Sequence, residues 1–243
     1  MADLPTTRVK AGDPPFTYTG MDYFGPFEIK HGRTTRKRYG VIFTCMNSRA
    51  VHLEIAETMD TSSCINAIRR FVCRRGQVKE MTSDNGSNLC GADREQAIQE
   101  FDQEKINTWA SNRGITWKYN PPGASHHGGV WERLIRSVQK ILQALLREQH
   151  VKVARSEEQL HTLMCEVENT MNSRPLTRLT DDPSDLEVIT PNHLLQMRNH
   201  EYVPPGRFTE EDKYCRRRWH QVQYLADLFW RRRIVKPTKW PGF

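Results

Sequence analysis

Tyr39-Gly-Val-Ile-Phe-Thr-Cys45 is an apolar run of buried-strand length, and the chain on either side of it reads as strand as well. Upstream, residues 16–24 are rich in aromatic side chains. Downstream, Val51, Leu53 and Ile55 alternate with polar neighbours. The three segments predict a meander, with the basic stretch Lys30 to Arg38 in its first turn. Beyond it the period changes. Asp60-Thr61-Ser62 supplies N-cap chemistry, Ile65, Ile68 and Phe71/Val72 recur at helical spacing, and Gly76 stops the helix. Arg69, Arg70, Arg74 and Arg75 read as the solvated face of that helix.

A short strand over 78–82 runs into the turn-forming Ser83-Asp84-Asn85-Gly86. A helix over 93–112 follows, with Ile98, Phe101 and Trp109 inward and Gly114 ending it, then a strand over 115–119 broken by Pro121-Pro122-Gly123. A long helix begins after Gly128-Gly129, with Val130, Leu134, Val138, Ile141 and Leu145 as its stripe. Ser156 with Gln159 makes a capping box for a further helix striped by Leu160, Leu163, Met164 and Val167. Strands first, then alternation, then helices predict a mixed α/β domain.

The 243 residues are 37% hydrophobic and 27% charged, enough for a sizeable core. No apolar run approaches the length of a membrane span. The opening Met-Ala-Asp-Leu-Pro lacks the charged head and apolar segment of a secretory signal, so the chain reads as intracellular. Cys45, Cys64, Cys73, Cys90, Cys165 and Cys215 show no C-x-x-C spacing, and His126, His127, His193 and His200 have no matching cysteines. That pattern predicts free thiols and no zinc module.

Net charge is +7, yet residues 213–243 hold nine Lys/Arg against Asp227 alone, which is +8 and leaves −1 for the rest. Such asymmetry points to a polyanionic partner. Arg216, Arg217, Arg218, Arg231, Arg232 and Arg233 are candidate phosphate contacts, flanking a helical face of Trp219, Val222, Ala226 and Phe229/Trp230 that reads as a docking face. The expected organisation is an extended leader over 1–15, an α/β core over 16–176, an acidic, Pro-containing linker over 177–212, and a basic helical tail over 213–243 that starts a truncated C-terminal domain.

Three acids stand out: Asp22 inside the first strand, Asp84 at a strand end, and Glu132 in the first turn of the long helix. Carboxylates are the hard ligands that Mg²⁺ takes alongside phosphate oxygens, and two such ions about 3.5–4 Å apart serve phosphodiester displacement. Singly, each acid has an ordinary reading as a solvated strand residue, an Asn-Gly turn or a helix-dipole partner.

Gly20-Met-Asp-Tyr-Phe-Gly-Pro26, Thr82-Ser-Asp-Asn-Gly-Ser87 and His127-Gly-Gly-Val-Trp-Glu-Arg133, in this order, resemble the integrase catalytic core of LTR retrotransposons and retroviruses. Asn172-Ser-Arg-Pro-Leu176, Thr190-Pro-Asn-His-Leu194 and Arg218-Trp-His-Gln-Val-Gln-Tyr-Leu-Ala-Asp-Leu-Phe-Trp230 resemble its Pao/BEL branch. The resemblance spans residues 16–234. It implies an RNase H-like fold, a five-stranded mixed sheet flanked by helices, with Asp22, Asp84 and Glu132 as a catalytic triad binding two Mg²⁺ or Mn²⁺.

The implied reaction is polynucleotidyl transfer. Water trims the 3′ end of the element's DNA, and the freed hydroxyl attacks target DNA in one transesterification, with neither ATP nor a covalent enzyme intermediate. Asn85, Gly128 and Gly129 fall in the family's active-site loop. Arg133, Arg136 and Lys140 stand where the family's helix approaches DNA, although one family lysine position holds Gln139. The resemblance further implies DNA ends and target DNA as partners, a homo-oligomer, no membrane, and action in the nucleus, with a cytoplasmic particle as a second location.

Two departures are visible. The 47 residues between Asp84 and Glu132 exceed the retroviral spacing, and the family's N-terminal zinc module has no counterpart here. The alternative reading is a catalytically silent descendant kept as a DNA-binding or dimerisation module. A third is an RNase H-like nuclease acting on RNA/DNA hybrids.

Overall fold

The structure, a computed structural model, describes residues 13–31, 33–83, 102–119, 125–147, 156–176 and 189–196, with side chains over 131–143 in the helix spanning 125–147. Five strands, β1 (Tyr18–His31), β2 (Thr34–Cys45), β3 (Val51–Ala56), β4 (Glu80–Ser83) and β5 (Thr116–Tyr119), lie in the order β3-β2-β1-β4-β5. β1, β2 and β3 form the expected antiparallel meander, and β4 and β5 add to it in parallel. The helices are α1 (Thr61–Arg75), α2 (Gln103–Ser111), α3 (Ser125–Arg147), α4 (Glu157–Asn172) and α5 (Pro191–Gln196).

Side chains alternate across a strand, so each apolar strand feeds two cores. On one face Phe24, Ile42, Leu53 and Ile55 pack against Trp131, Val138 and Leu142 of α3 and Leu160, Leu163 and Val167 of α4. On the other, Met21, Val41 and Phe43 meet Ile68 and Phe71 of α1 and Ile106 and Ala110 of α2. Phe43 stacks on Phe71 with ring centroids 4.1 Å apart. The helix ends follow the local chemistry. Asp60 Oδ1 accepts from Ser63 N at 2.7 Å, Ser156 Oγ accepts from Gln159 N at 3.1 Å, and Gly76 leaves α1 with φ 93°.

Two expectations are corrected. Lys30 to Arg38 is not a turn, because β1 and β2 stay paired through Ile29↔Arg36, Lys30↔Thr35 and His31↔Thr34. A ladder is built from backbone groups, so charged side chains can ride on it while Ile29 supplies the buried contact. Gly128 and Gly129 lie inside α3, which starts at Ser125, rather than in a loop before it. Each glycine costs about 1 kcal/mol relative to alanine, a penalty offset by the burial of Trp131, Ile135, Val138 and Leu142 downstream. Of the helix expected over 93–112, α2 is the described part. Ile98, Phe101 and the Pro121-Pro122-Gly123 break lie outside the described residues.

β3 is an edge strand with both faces buried, and even its polar residues His52 and Glu54 are inside. Its free edge is closed by side chains. Asn172 accepts from Val51 N and donates to Val51 O, both at 2.8 Å. Glu168 Oε2 accepts from Leu53 N at 2.8 Å, and Arg70 Nη2 donates to Ile55 O at 2.6 Å. Unpaired edge groups invite wrong pairing, and these three side chains satisfy them. Arg174, whose guanidinium burial pulls down to about 10, donates to the carbonyls of Met171 and Arg49 and ties the β2–β3 turn to α4. Two residues of the Asn172-Ser-Arg-Pro motif are thus structural here. Asn172→Ala leaves a buried N–H and C=O without partners, so we expect about 3 kcal/mol lost in urea unfolding, and a loss under 1 kcal/mol would contradict the edge-closing role.

Arg69 is exposed as expected, but the other three arginines of α1 are not a plain solvated face. Arg70 Nε lies 2.7 Å and Arg74 Nη1 3.1 Å from Glu54, and Arg75 pairs with Glu168. His52 bridges the two acids, 3.0 Å from Glu54 and 3.1 Å from Glu168. Burial works against the imidazolium, but hydrogen bonds to Glu168 and Glu54 outweigh it and raise the His52 pKa above its ordinary 6.5, despite opposition from Arg75. Burial likewise opposes ionisation of Glu54 and Glu168, yet bonds to His52 and the arginines hold both below the usual carboxylate range.

The signs set a window. The His52 contribution is complete below pH 6.5 and disappears as pH climbs through its raised value. The carboxylate contribution is complete above pH 4.5 and disappears as pH falls through the lowered values. The melting-temperature gap between wild type and His52→Gln is therefore expected to be largest near pH 5.5–6 and to shrink by pH 9. A gap that widens with alkalinity would refute the assignment.

Candidate active site

β1 and β4 run together through Met21↔Ser83, and Asp22 is the next residue of β1, level with Ile42 on β2. Alternation places Asp22 on the face shared by Gly20 and Phe24, the one covered by α3 and α4. Gly20 lies directly beneath the indole of Trp131, since a Cβ there would stand 2.6 Å from Cε3 and 2.9 Å from Cζ3. Two residues beyond Asp22, the Phe24 ring presses on Gly40 in the same way. Aromatic rings seated on strand glycines therefore bracket Asp22.

Trp131 is fully buried, and Glu132 follows it on α3, half-buried. The Trp131–Gly20 contact pins this part of α3, on which Glu132 is the next residue, to β1 two residues from Asp22. Asp22 Oδ1 accepts from Tyr23 N at 2.8 Å. The end of β4 is held by Trp117 Nε1 donating to Ser83 Oγ at 3.0 Å. Asp84 and Asn85, which follow, lie outside the described residues. Among the described residues no group of three His, Cys, Asp or Glu side chains is placed to hold a metal ion.

Glu132 is not in the first turn of its helix, as expected, but two turns in, because α3 begins at Ser125. A helix dipole acts within the first turn, so the ordinary dipole role does not explain this glutamate. Arg133, Arg136 and Lys140 are exposed, while Trp131, Ile135, Val138 and Leu142 face inward. Glu132, Arg136 and Lys140 recur every four residues along one side of the helix. Arg216, Arg217, Arg218, Arg231, Arg232 and Arg233 lie outside the described residues.

Across the sheet from Asp22, burial pushes the Cys64 thiol up to about 12, so it stays protonated and is not an available nucleophile. Cys73 and Cys165 are exposed free thiols.

Residues 15–125 match the integrase core domain. The integrase-core match takes in Asp22 and Asp84 and ends before Glu132. No curated protein matches the chain. Among solved structures, a chain of the simian T-cell lymphotropic virus intasome, in complex with the PP2A regulatory subunit B56 gamma, superposes with a TM-score of 0.50 at 14% identity, covering 86% of this chain. This chain spans 64% of the length of that one. The catalytic core domain of BIV integrase gives 0.48 at 16% identity, covering 74% of this chain and 93% of its own. The HTLV-2 integrase catalytic core domain in complex with magnesium, in trimeric form, gives 0.47 at 16% identity, covering 76% and 99%. The fold is RNase H-like, a five-stranded mixed sheet between helices, as in integrase catalytic cores.

The pin itself was not anticipated from sequence, although a signal was present. A glycine inside an otherwise aromatic strand marks a close approach by another group, and Gly20 stands two residues before Asp22.

Proposed function

We propose that this chain is a metal-dependent polynucleotidyl transferase of integrase type, from a retroelement of the Pao/BEL branch. It trims 3′ ends of element DNA and joins them to target DNA in the nucleus. The observation that carries the reading is the Trp131–Gly20 contact, which packs the helix bearing Glu132 against the strand bearing Asp22, in a sheet whose segment 15–125 matches the integrase core domain. Asp84 is the third acid of the proposed triad.

Asp22 and Glu132 offer hard oxygen donors of the kind that Mg²⁺ and Mn²⁺ accept, so the residues fit the cofactor. Bound there, divalent ions polarise a phosphodiester and provide a nucleophile at neutral pH. The chain supplies the positioning. Trp131 on Gly20 fixes α3 against β1, the Tyr23 amide orients the Asp22 carboxylate, and Phe24 and Trp131 wall the site with apolar surface. Arg133, Arg136 and Lys140, exposed along α3, hold phosphates of the DNA. A homo-oligomer on DNA belongs to the same reading, since one chain of similar fold is part of an intasome.

The test is incubation of the purified chain with labelled duplex DNA and a plasmid target in Mn²⁺ or Mg²⁺. Shortened strands and joined products that vanish with chelator support the proposal. Salt-sensitive binding without product would mark a silent DNA-binding module, and degradation confined to RNA/DNA hybrids would mark a nuclease.

A further inference from the structure

The β1–β2 hairpin is longer than the sheet that carries it. β4 pairs with β1 only over Tyr18–Met21, and β3 pairs with β2 only over Tyr39–Thr44. Residues 27–31 and 34–38 are therefore paired only with each other, a two-stranded ribbon running on past Asp22 from the middle of the sheet.

A free two-stranded hairpin is marginally stable in water, but this one is braced on one side. Ile29 is buried in the core beneath α3 and α4. Arg38 is 8% exposed, and its Nε lies 2.9 Å from Glu157 Oε1 in the first turn of α4. The opposite side carries Glu28↔Lys37 and Lys30↔Thr35 as cross-strand pairs, all exposed; Arg33 is exposed at the tip, and Arg36, opposite Ile29, is exposed at the outer end of the braced side. Four exposed cations stand against the single exposed anion Glu28.

We propose that this ribbon is a second DNA contact, one that holds the phosphate backbone of the duplex away from the reacting phosphodiester. The inference rests on the function proposed above. A braced ladder presents charges at a regular spacing, which suits a linear polyanion better than a mobile loop would. Arginine forks and lysine ammonium groups take phosphate oxygens without reading bases, and a two-stranded ribbon has the width of the major groove. Lys30 lies eight residues beyond Asp22, at most about 27 Å along an extended strand, or about eight base-pair steps.

The experiment measures binding of the intact chain to labelled duplexes of unrelated sequence, about 30 base pairs long, over a range of salt. Replacing Lys30, Arg33 and Arg36 together by Ala should lower the salt slope of log affinity by about 2.7, or 0.9 per lost phosphate contact, equally for every sequence. Glu28→Lys should tighten binding and steepen the slope by about 0.9, and this gain requires a folded protein. A duplex ending about four base pairs from the processed end should be insensitive to all of these changes.

A triple variant and a Glu28→Lys variant that both bind as wild type does, while wild type binds and cleaves, overturn the ribbon alone. Failure of wild type to bind any duplex overturns the ribbon and the proposed function together.

Discussion

Glu132→Gln is expected to lower the single-turnover rate of metal-dependent strand cleavage by roughly a thousandfold while leaving the fold intact. The change preserves shape and removes a charge. A metal at such a site stabilises transition-state charge by several kcal/mol, and 1.36 kcal/mol is tenfold in rate, so losing the ion's anchor is worth about three decades. Asp22→Asn should behave alike. A second readout separates metal binding from chemistry. Mn²⁺ should raise the melting temperature of wild type by mass action, and this rise should shrink in both variants. Retention of activity within tenfold, with an unchanged Mn²⁺ effect on melting, would remove Glu132 from the site and the proposed reaction with it.

Trp131→Ala is expected to cost about 3–5 kcal/mol of stability, the range for truncating a large buried aromatic residue. Gly20→Ala should cost about 1–3 kcal/mol, because the added carbon meets Trp131 Cε3 at 2.6 Å and the ring or the strand must give way. The two effects share one contact. In a double-mutant cycle by urea unfolding, Gly20→Ala should therefore cost almost nothing once Trp131 is already alanine. Activity provides an independent check. In Gly20→Ala, displacement of α3 from β1 by even about 1 Å should reduce the cleavage rate by roughly a hundredfold at temperatures where the variant is fully folded. Additive costs in the cycle would show that Trp131 and Gly20 do not couple.

The pH window of His52 concerns a residue that the chain's periodicity misassigns. Val51, Leu53 and Ile55 alternate with His52 and Glu54 as in a half-exposed strand, but α1 covers the polar face and turns it into a buried ion cluster. Lys30 to Arg38 has the composition of a solvated turn, and the pairing of β1 with β2 makes it ribbon instead. Glu132 reads as an early helical residue because Gly128-Gly129 resembles a helix boundary. Packing of Trp131 and the residues after it extends α3 through both glycines. In the first and last cases long-range burial overrode a local preference worth about 1 kcal/mol or less, and in the ribbon strand pairing did.

What the amino-acid sequence determined by itself was whatever depends on residues a few positions apart. The caps at Asp60 and Ser156, the stop at Gly76, and the apolar stripes that sort the segments into strands and helices are of this kind. The motif order that points to an integrase core is equally a property of the string. Tertiary structure alone decided which distant groups meet: Arg38 with Glu157 across 119 positions, Asn172 with Val51 across 121, and the Trp131 ring over Gly20 beside Asp22. A side chain's period tells which face of its own element it occupies. Its partner is set by how separate elements pack, and the energy of that packing is not carried by any one stretch of chain.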